Sequence, residues 1–306
     1  MSSPALPSFP AAQPDPAVPA TAATSPGVLD AVVSRLRAAG CVFAEDEAAL
    51  LVAAAPTPAE LDAMVRRRAA GLPLEHILGW AEFCGLRVAV DLQVFVPRVR
   101  TEFLVRQAAA LARPHAVVVD LCCGTGAVGL ALLAALSAAG TPPAELHAAD
   151  IDPAAVSCAR RNLIDPGSAV LDCGVLSSGV LSSSILKCEV HQGDLYDPLP
   201  DRLHGRVDLL VVNAPYVPTG AIELLPTEAR VHEARVALDG GSDGLDLHRR
   251  VAAGAAGWLA PGGRLLIETS ERQAGHTAEV FAAVGLRTRI TGSDELDATV
   301  VVGTRP

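Results

Sequence analysis

The stretch Val207–Gly220 reads VDLLVVNAPYVPTG, and it determines how the rest of the chain is interpreted. Its first six residues are apolar and mostly branched apart from Asp208, which is typical of a strand buried on both faces. The strand is followed at once by Asn213-Ala214-Pro215-Tyr216. An amide, an aromatic ring and peptide carbonyls therefore stand at the carboxyl edge of a sheet, where open α/β sheets bind ligands. Because Asn and Pro are also common turn residues, this stretch taken alone could equally be an ordinary connecting loop.

The length, composition and net charge of the chain limit the classes of function. A chain of 306 residues that is 50% hydrophobic predicts one large or two medium domains with an ample core. A net charge of −10 argues against an enzyme that binds through a broad phosphate-facing surface, and it permits a basic protein partner or a local patch. Seven cysteines without a secretory signal predict a reducing compartment, so we expect a cytoplasmic protein. No apolar run approaches the roughly 20 residues of a membrane span.

Composition and periodicity divide the chain into segments. Residues 1–27, rich in Pro, Ala and Ser, predict a disordered tail, and residues 28–80 predict a small helical domain. Residues 81–96 predict a β-hairpin linker, and residues 97–306 the main unit. Within that unit, the Ser- and Gly-rich residues 166–188 predict a surface insertion, with a short hairpin as the alternative. The linker hairpin is predicted from Phe83, Leu86, Val88, Val90 and Leu92.

A basic cluster, Arg66-Arg67-Arg68, lies near the end of the third predicted helix, Thr57–Ala70. A solvated helix face is the first interpretation of such a cluster, and a contact patch for a partner is the alternative.

Strands and helices alternate in the main unit, which predicts a parallel, right-handed, doubly wound sheet. The first strand, Val117–Leu121, is followed by a glycine turn and the helix Ala127–Ala138. Six further strands are predicted at Leu146–Asp150, Glu189–His191, Val207–Val212, Arg264–Ile267, Leu286–Ile290 and Ala298–Val302.

The glycine turn allows two cofactors. Gly124–Gly129 matches GxGxxG after a strand, and Asp150 follows at the spacing of a dinucleotide fingerprint, so a nicotinamide dehydrogenase is one possibility. Asp120 counts against it, because an acid four residues before the first glycine would repel a pyrophosphate and attract an ammonium group. No candidate acid for hydride transfer is evident near a strand end. The pattern DxxxGxG fits S-adenosylmethionine better.

The residues expected to hold S-adenosylmethionine come from successive strand ends. Asp150 is placed to accept the ribose hydroxyls, and Asp194, followed by Leu195, to reach the adenine amino group. Any one of these Asp residues, taken alone, could equally be a helix N-cap or a turn residue. The adjacent Cys122 and Cys123 lack metal-site spacing, and no metal is predicted. The cofactor residues predicted here are Asp120, Cys122, Gly124, Thr125, Gly126, Asp150, Asp194, Leu195 and Asn213.

Five segments together resemble the HemK/PrmC family of protein-(glutamine-N5) methyltransferases over about residues 28–306. They are Phe95–Glu102, Asp120–Gly126, Ala149–Pro153, Asn213–Tyr216 and His232–Leu245. The last is the most specific, because DNA adenine methyltransferases share the tetrapeptide but not this sequel. The chain departs from the family pattern at several positions: Val99-Arg100 replaces Pro-Glu, Cys122 replaces Gly, and Ala214 and Ala234 each replace Pro.

The resemblance implies a class I S-adenosylmethionine-dependent methyltransferase. Its α/β fold is Rossmann-like, with a seven-stranded, mostly parallel sheet. The implied substrate is the glutamine of a Gly-Gly-Gln motif in a translation release factor, or another protein glutamine. An amide nitrogen is a poor nucleophile, so the site must align it with the methyl donor.

We expect four neighbouring residues to perform that alignment. The Asn213 side chain accepts one amide hydrogen, and the backbone carbonyl of Ala214 accepts the other. Pro215 keeps residue 214 extended, and Tyr216 packs on the flat amide. Two alternatives stay open: an N6-adenine or other amino-methyltransferase acting on nucleic acid, and a cofactor-binding module without catalysis.

Overall fold

The computed structural model describes residues 26–164 and 187–306. Four helices come first, around a small core that contains the fully buried Leu36, Leu51 and Val65. The first helix begins inside the predicted tail, whose residues 1–25 lie outside the described part of the chain. The helices are α1 (Pro26–Ala38), α2 (Ala44–Ala54), α3 (Pro58–Ala69) and α4 (Leu74–Leu78).

A short antiparallel hairpin follows, formed by β1 (Trp80–Phe83) and β2 (Leu86–Ala89). The prediction that its second strand includes Leu92 was wrong: that side chain lies beyond the strand and is 55% exposed. The chain then runs through a 3₁₀ turn, Val99–Thr101, into α5 (Glu102–Leu111).

The main unit contains one seven-stranded sheet in the order β5-β4-β3-β6-β7-β9-β8. All pairings from β5 to β7 are parallel, and both pairings of β9 are antiparallel, so the predicted mostly parallel sheet is confirmed. The strands are β3 (Val117–Leu121), β4 (Glu145–Asp150), β5 (Lys187–Gln192), β6 (Val207–Val212), β7 (Leu259–Thr269), β8 (Arg287–Ser293) and β9 (Ala298–Thr304). The helices are α6 (Ala127–Ala138), α7 (Pro153–Leu163), α8 (Thr227–His232), α9 (Asp246–Trp258) and α10 (Glu271–Ala283).

The insertion predicted at residues 166–188 needs one correction. Lys187 and Cys188 lie in β5, where they pair with Glu145 and Leu146 of β4. The rest of that segment, residues 166–186, lies outside the described residues.

Branched residues and alanines fill both faces of the sheet. On one face, Val118 and Leu146 pack with α5, α6 and α7; on the other, Val119 and Leu210 pack with α9 and α10. All five residues of β3 are buried, as expected for a central parallel strand. The strand order changes direction between β3 and β6, and such a switch point opens a crevice at the carboxyl ends of the strands.

Among the described residues, no helix is both long and apolar enough to cross a membrane.

Candidate active site

A cavity of about 890 Å³ lies at the carboxyl ends of β3, β4, β6 and β7. This volume lies in the range of small-molecule sites. It is lined by these predicted site residues: Asp120, Cys122, Gly124, Thr125, Asp150, Asp194, Leu195, Asn213, Ala214, Pro215 and Tyr216. Of the predicted set, only Gly126 is not on its wall. A Cβ at Gly126 would lie 3.0 Å from the Leu163 Cδ1 atom, so this glycine allows the turn to pack on α7.

Asp150 holds the glycine turn in place. Its Oδ2 atom accepts a hydrogen bond from the Gly124 amide at 2.9 Å, and its Oδ1 atom accepts one from the Asp152 amide at 2.9 Å. Burial raises the pKa of this carboxyl, and the backbone hydrogen bonds oppose that rise. The carboxylate therefore shapes the turn at the same point where the sequence predicts ribose binding.

Asp120, at the end of β3, is almost fully buried behind the same turn. Its Oδ2 atom accepts a hydrogen bond from the Gly129 amide at 3.0 Å. Burial raises the pKa of Asp120 to about 7, although this hydrogen bond lowers it. The group therefore changes charge near neutral pH, and a nearby cation would favour its ionised form.

Asp194 lies on the cavity wall, in the turn after β5, and it already has a partner. Its Oδ2 atom accepts a hydrogen bond from the Arg250 guanidinium at 2.6 Å, and both side chains are partly exposed. The neighbouring Leu195 has a φ of +49°, which turns the chain sharply at this point. Arg250, which the sequence analysis did not identify, thus fixes the acid predicted to reach adenine.

A buried amide joins the glycine turn to the hairpin. Asn162 on α7 donates to the Thr125 carbonyl at 2.8 Å and to the Ala89 carbonyl at 3.0 Å, and its Oδ1 atom accepts from the Ala89 amide at 2.9 Å. Ala89 and Thr125 are buried, so these hydrogen bonds satisfy backbone groups that water does not reach. Asn162 therefore ties the linker hairpin to the cofactor turn.

The Asn213 amide is oriented by a chain of side chains. The Thr101 oxygen accepts a hydrogen bond from the Asn213 Nδ2 atom, at 3.3 Å. Burial raises the pKa of the nearby Glu268 carboxyl, and the Thr101 and Tyr216 hydroxyls lower it. Because the amide nitrogen faces Thr101, the side-chain oxygen of Asn213 is left as an acceptor for the cavity.

Tyr216 contacts the same carboxyl from the other side. Its hydroxyl lies 3.4 Å from the Glu268 Oε1 atom, and burial raises the pKa of Tyr216 to about 12. The tyrosine therefore stays neutral in the physiological range. Glu268 joins Thr101, Asn213 and Tyr216 into one polar network, which we call the amide network.

The segment after the tetrapeptide packs closely around it. The Val217 amide donates to the Leu238 carbonyl at 3.1 Å, and the Gly240 amide donates to the Val217 carbonyl at 2.9 Å. A Cβ at Gly240 would lie only 2.7 Å from the Pro215 carbonyl oxygen. Gln273 adds a hydrogen bond to the Tyr216 carbonyl at 3.0 Å. This packing gives a structural reason for the sequel that made the family resemblance specific.

The linker motif supplies contacts as well as a connection. Arg98 pairs with the buried Glu233 at 2.6 Å, and Glu102 accepts a hydrogen bond from the Cys84 amide at 3.0 Å. Ala234, which stands where the family has proline, donates its amide to the Gln93 carbonyl at 3.3 Å, a bond that proline cannot make. These contacts fasten the loop that bears Thr101 against the main unit.

One arginine of the basic cluster joins the helical segment to the cavity rim. Arg68 is buried, which neither interpretation of the cluster anticipated; Arg66 and Arg67 are exposed. Its guanidinium bonds both oxygens of Glu47, at 2.6 and 2.9 Å, and it bonds Glu228 of α8 at 2.5 Å. Since Glu228 also lines the cavity, this ion pair fixes α3 relative to the rim of the site.

Comparison with known proteins identifies the family. A family profile described as the methyltransferase small domain matches residues 99–244. The release factor glutamine methyltransferase of Geobacter sulfurreducens is 37% identical over 81% of this chain and 79% of that protein. Its counterpart in Mycolicibacterium smegmatis is 36% identical over 88% of this chain and 92% of that protein. The chain belongs to the family of release factor glutamine methyltransferases.

The chain is therefore a methyltransferase, and its cofactor is S-adenosylmethionine, which decides between the two cofactors that the glycine turn left open. One similar protein differs in name: the 4-amino-L-phenylalanine/4-methylamino-L-phenylalanine methyltransferase of Streptomyces pristinaespiralis is 34% identical over 76% of this chain and 73% of that protein.

The residues present fit this cofactor. A Cβ at Gly124 would meet no protein atom within 4 Å, so the turn leaves open space on the cavity wall. Three carboxyls, those of Asp120, Asp150 and Asp194, line the cavity. Carboxyl groups suit a ligand that carries a sulfonium, an ammonium and two ribose hydroxyls.

Sequence reasoning missed three members of the site. They are Glu268, Arg250 and Thr101, the last as the partner of Asn213. A signal existed for Glu268, because it lies near the carboxyl end of a buried strand, as the three predicted acids do. Thr101 and Arg250 gave no such signal, because their partners lie 112 and 56 residues away along the chain.

Proposed function

We propose that this protein methylates the side-chain nitrogen of a glutamine, at N5, and that its substrate is the Gly-Gly-Gln glutamine of a translation release factor. The observation that carries the proposal is the amide network, because it leaves the Asn213 oxygen as an acceptor beside Tyr216. An amide substrate has two N–H donors and a flat face, which match an acceptor pair and an aromatic ring. The names of the similar proteins support the same substrate.

The residues act by alignment. When bound, S-adenosylmethionine supplies a methyl group on a positively charged sulfur. Asn213 accepts one N–H of the glutamine, and the Ala214 carbonyl accepts the other. Once the nitrogen carries the methyl group, one of these two protons leaves to solvent, which gives the neutral N-methyl amide. Tyr216 packs on the amide plane, so the nitrogen lone pair points along the line of transfer. Alignment of this kind contributes up to about 7–11 kcal/mol to the lowering of a barrier.

The carboxyls act on the other half of the cavity. Asp150 receives the ribose hydroxyls, Asp194 receives the adenine amino group, and Asp120 stabilises the positive charge of the methionine part. Cys122, Gly124, Thr125 and Leu195 shape the wall around them. Gly126 contributes by allowing the glycine turn to pack on Leu163, and we assign it no direct contact with the cofactor.

The decisive experiment is mass spectrometry of a purified release factor after incubation with the protein and labelled S-adenosylmethionine. We expect one methyl group on the glutamine of Gly-Gly-Gln. A release factor with asparagine at that position is the matched control, because its nitrogen is one methylene short of the donor, and it should remain unmethylated. Methyl-adenine in nucleic acid, or no methylated product despite cofactor binding, would contradict the proposal.

Free 4-amino-L-phenylalanine belongs in the same assay, because one similar protein is named for that substrate. An aryl amine offers N–H donors and a flat ring but no amide carbonyl. We expect no turnover of this amine under conditions that methylate the release factor. Faster turnover of the amine than of the protein would assign the cavity to a small-molecule substrate.

The protein partner sets further expectations. We propose that recognition involves the helical segment, which Arg68 fixes at the rim of the cavity through Glu228. With a net charge of −10, direct nucleic-acid binding is not expected, and neither is a strong salt dependence of substrate binding. A cytoplasmic location follows from a substrate that acts in translation.

A further inference from the structure

A cluster of metal-binding side chains lies at the β4–β5 edge of the sheet, apart from the cofactor cavity. His147 of β4 pairs in register with Glu189 of β5, and His191 is two residues further along β5. Because side chains alternate across a strand, Glu189 and His191 share one face, and the register brings His147 to the same face. None of the three lines the cofactor cavity.

The three ligand atoms form a compact triangle. The His147 Nδ1 atom lies 3.1 Å from the His191 Nε2 atom and 3.7 Å from the Glu189 Oε2 atom. The third side, between the His191 Nε2 atom and the same Glu189 oxygen, is 3.6 Å. A point about 2.0 Å from all three atoms exists within this triangle, and zinc binds imidazole nitrogens and carboxylate oxygens at about 2.0–2.2 Å.

A fourth side chain orients the buried histidine. The Glu145 Oε2 atom lies 3.2 Å from the His147 Nε2 atom, and Arg206 holds the other Glu145 oxygen at 3.1 Å. A carboxylate at Nε2 places the proton there and leaves the lone pair on Nδ1, towards the triangle. Ligand histidines in metal sites are commonly held in this way by an outer carboxylate.

The remaining charges leave the triangle available. Lys187 and Arg202 bind the Oε1 atom of Glu189, at 2.8 and 3.2 Å, so Oε2 is the oxygen that faces the histidines. His147 is fully buried, whereas the side chains of His191 and Glu189 are 14% and 30% exposed. A cation can therefore reach the triangle from the sheet edge, and water can complete its coordination.

We propose that His147, His191 and Glu189 bind one divalent transition-metal ion of the zinc type, with Glu145 as the outer carboxylate. Two imidazoles and one carboxylate are the donor set that suits zinc rather than magnesium or calcium. Without metal, the Nε2–H group of His191 donates a hydrogen bond to the His147 Nδ1 atom. When the metal ion binds, His191 changes tautomer: its proton is then on Nδ1, and its Nε2 lone pair binds the metal. The ion clips edge strand β5 to β4, a stabilising role independent of methyl transfer.

No other part of the described chain competes for this assignment. Among the residues that the structure describes, this is the one group of three or more His, Cys, Asp or Glu side chains spaced to share an ion. The six described cysteines are free, so thiolate binding is the alternative that an experiment must separate.

The test uses the full chain, freed of metal with a chelator and titrated with zinc chloride by calorimetry. We expect one equivalent to bind to the wild type. Loss of a ligand in His191→Ala should weaken binding by about 100-fold or more, and loss of the outer carboxylate in Glu145→Gln by about 10–100-fold. Glu189→Gln should behave like His191→Ala, and the matched control His276→Ala, at an exposed histidine of α10, should bind as the wild type does.

Two further measurements keep the result unambiguous. Thermal melting without metal shows whether each variant is folded, and zinc should raise the melting temperature of the wild type more than that of His191→Ala. Cobalt loading should give the visible absorption of a nitrogen- and oxygen-ligated ion, lost in His191→Ala. Absence of stoichiometric binding, equal affinity in the ligand variants, or a thiolate-to-cobalt absorption band would overturn the proposal.

Discussion

The three carboxyls that we propose for cofactor binding, those of Asp120, Asp150 and Asp194, differ in construction from the amide network. Two of these three carboxyls are fixed by nearby backbone amides: Asp150 by Gly124 of the glycine turn, and Asp120 by Gly129 of α6. The amide network is instead fixed by side chains from three distant segments: the linker, β6 and β7. Cofactor binding should therefore respond mainly to local changes, and methyl transfer to changes far away in sequence.

The largest effect is expected from Asn213→Ala. It removes the acceptor that we propose aligns the substrate nitrogen, so the rate of transfer should fall by about 10²-fold or more, the scale of losing one preorganised contact. Calorimetry should show that S-adenosylmethionine affinity is largely retained, because the carboxyls of the other half remain. A variant that methylates at the wild-type rate would remove Asn213 from the mechanism.

Asp150→Ala tests the other half. Loss of the predicted ribose acceptor should weaken S-adenosylmethionine binding by about 1.5–3 kcal/mol, measured by calorimetry. Part of that loss in affinity should come from a change in the shape of the glycine turn, because Asp150 also accepts hydrogen bonds from the Gly124 and Asp152 amides. Asp150→Asn, which keeps one acceptor oxygen, should lose less; equal affinity in both variants and the wild type would exclude this residue from the site.

The pH dependence of cofactor binding reports on Asp120. Its pKa is raised to about 7, so the carboxyl is mostly protonated at pH 6 and mostly ionised at pH 8. A positively charged ligand prefers the ionised form, so affinity at pH 6 should be about tenfold below its plateau. The same shift makes the folded state hold a proton that the unfolded chain has lost between about pH 4 and 7, so Asp120 lowers stability as pH rises through that window.

Asp120→Asn is the control for both dependences. It cannot ionise, so its cofactor affinity and its free energy of unfolding should both vary less with pH than those of the wild type. Equal pH profiles for the two proteins would show that another carboxyl, such as Asp150, controls the titration.

The smallest effect is expected from Thr101→Val, a near-isosteric change that removes only the hydroxyl between Asn213 and Glu268. Loss of one hydrogen bond of about 0.5–1.5 kcal/mol predicts a fall in the transfer rate of about 2- to 10-fold, with cofactor affinity unchanged. Thr101→Ser keeps the hydroxyl and should restore the rate. A parallel loss of cofactor affinity would show that the two halves of the cavity are coupled.

The amino-acid sequence by itself determined the sheet, the glycine turn and the set of acids. These features depend on local patterns: branched runs form buried strands, and polar residues directly after parallel strands meet at one sheet edge. Asp120, Asp150, Asp194 and Asn213 could therefore be placed at one site from their positions along the chain alone. Even there, sequence could not show that burial raises the Asp120 pKa, since burial depends on the packed helices.

Only the tertiary structure showed which side chains from distant segments position the residues of that site. Thr101 and Asn213 are 112 residues apart, and Arg68 and Glu228 are 160 apart. The cluster of His147, Glu189 and His191 depends on the register of β4 against β5, which a one-residue slip would destroy. Strand periodicity specifies which face a residue occupies, whereas contacts between distant segments arise only when the whole core packs into one arrangement.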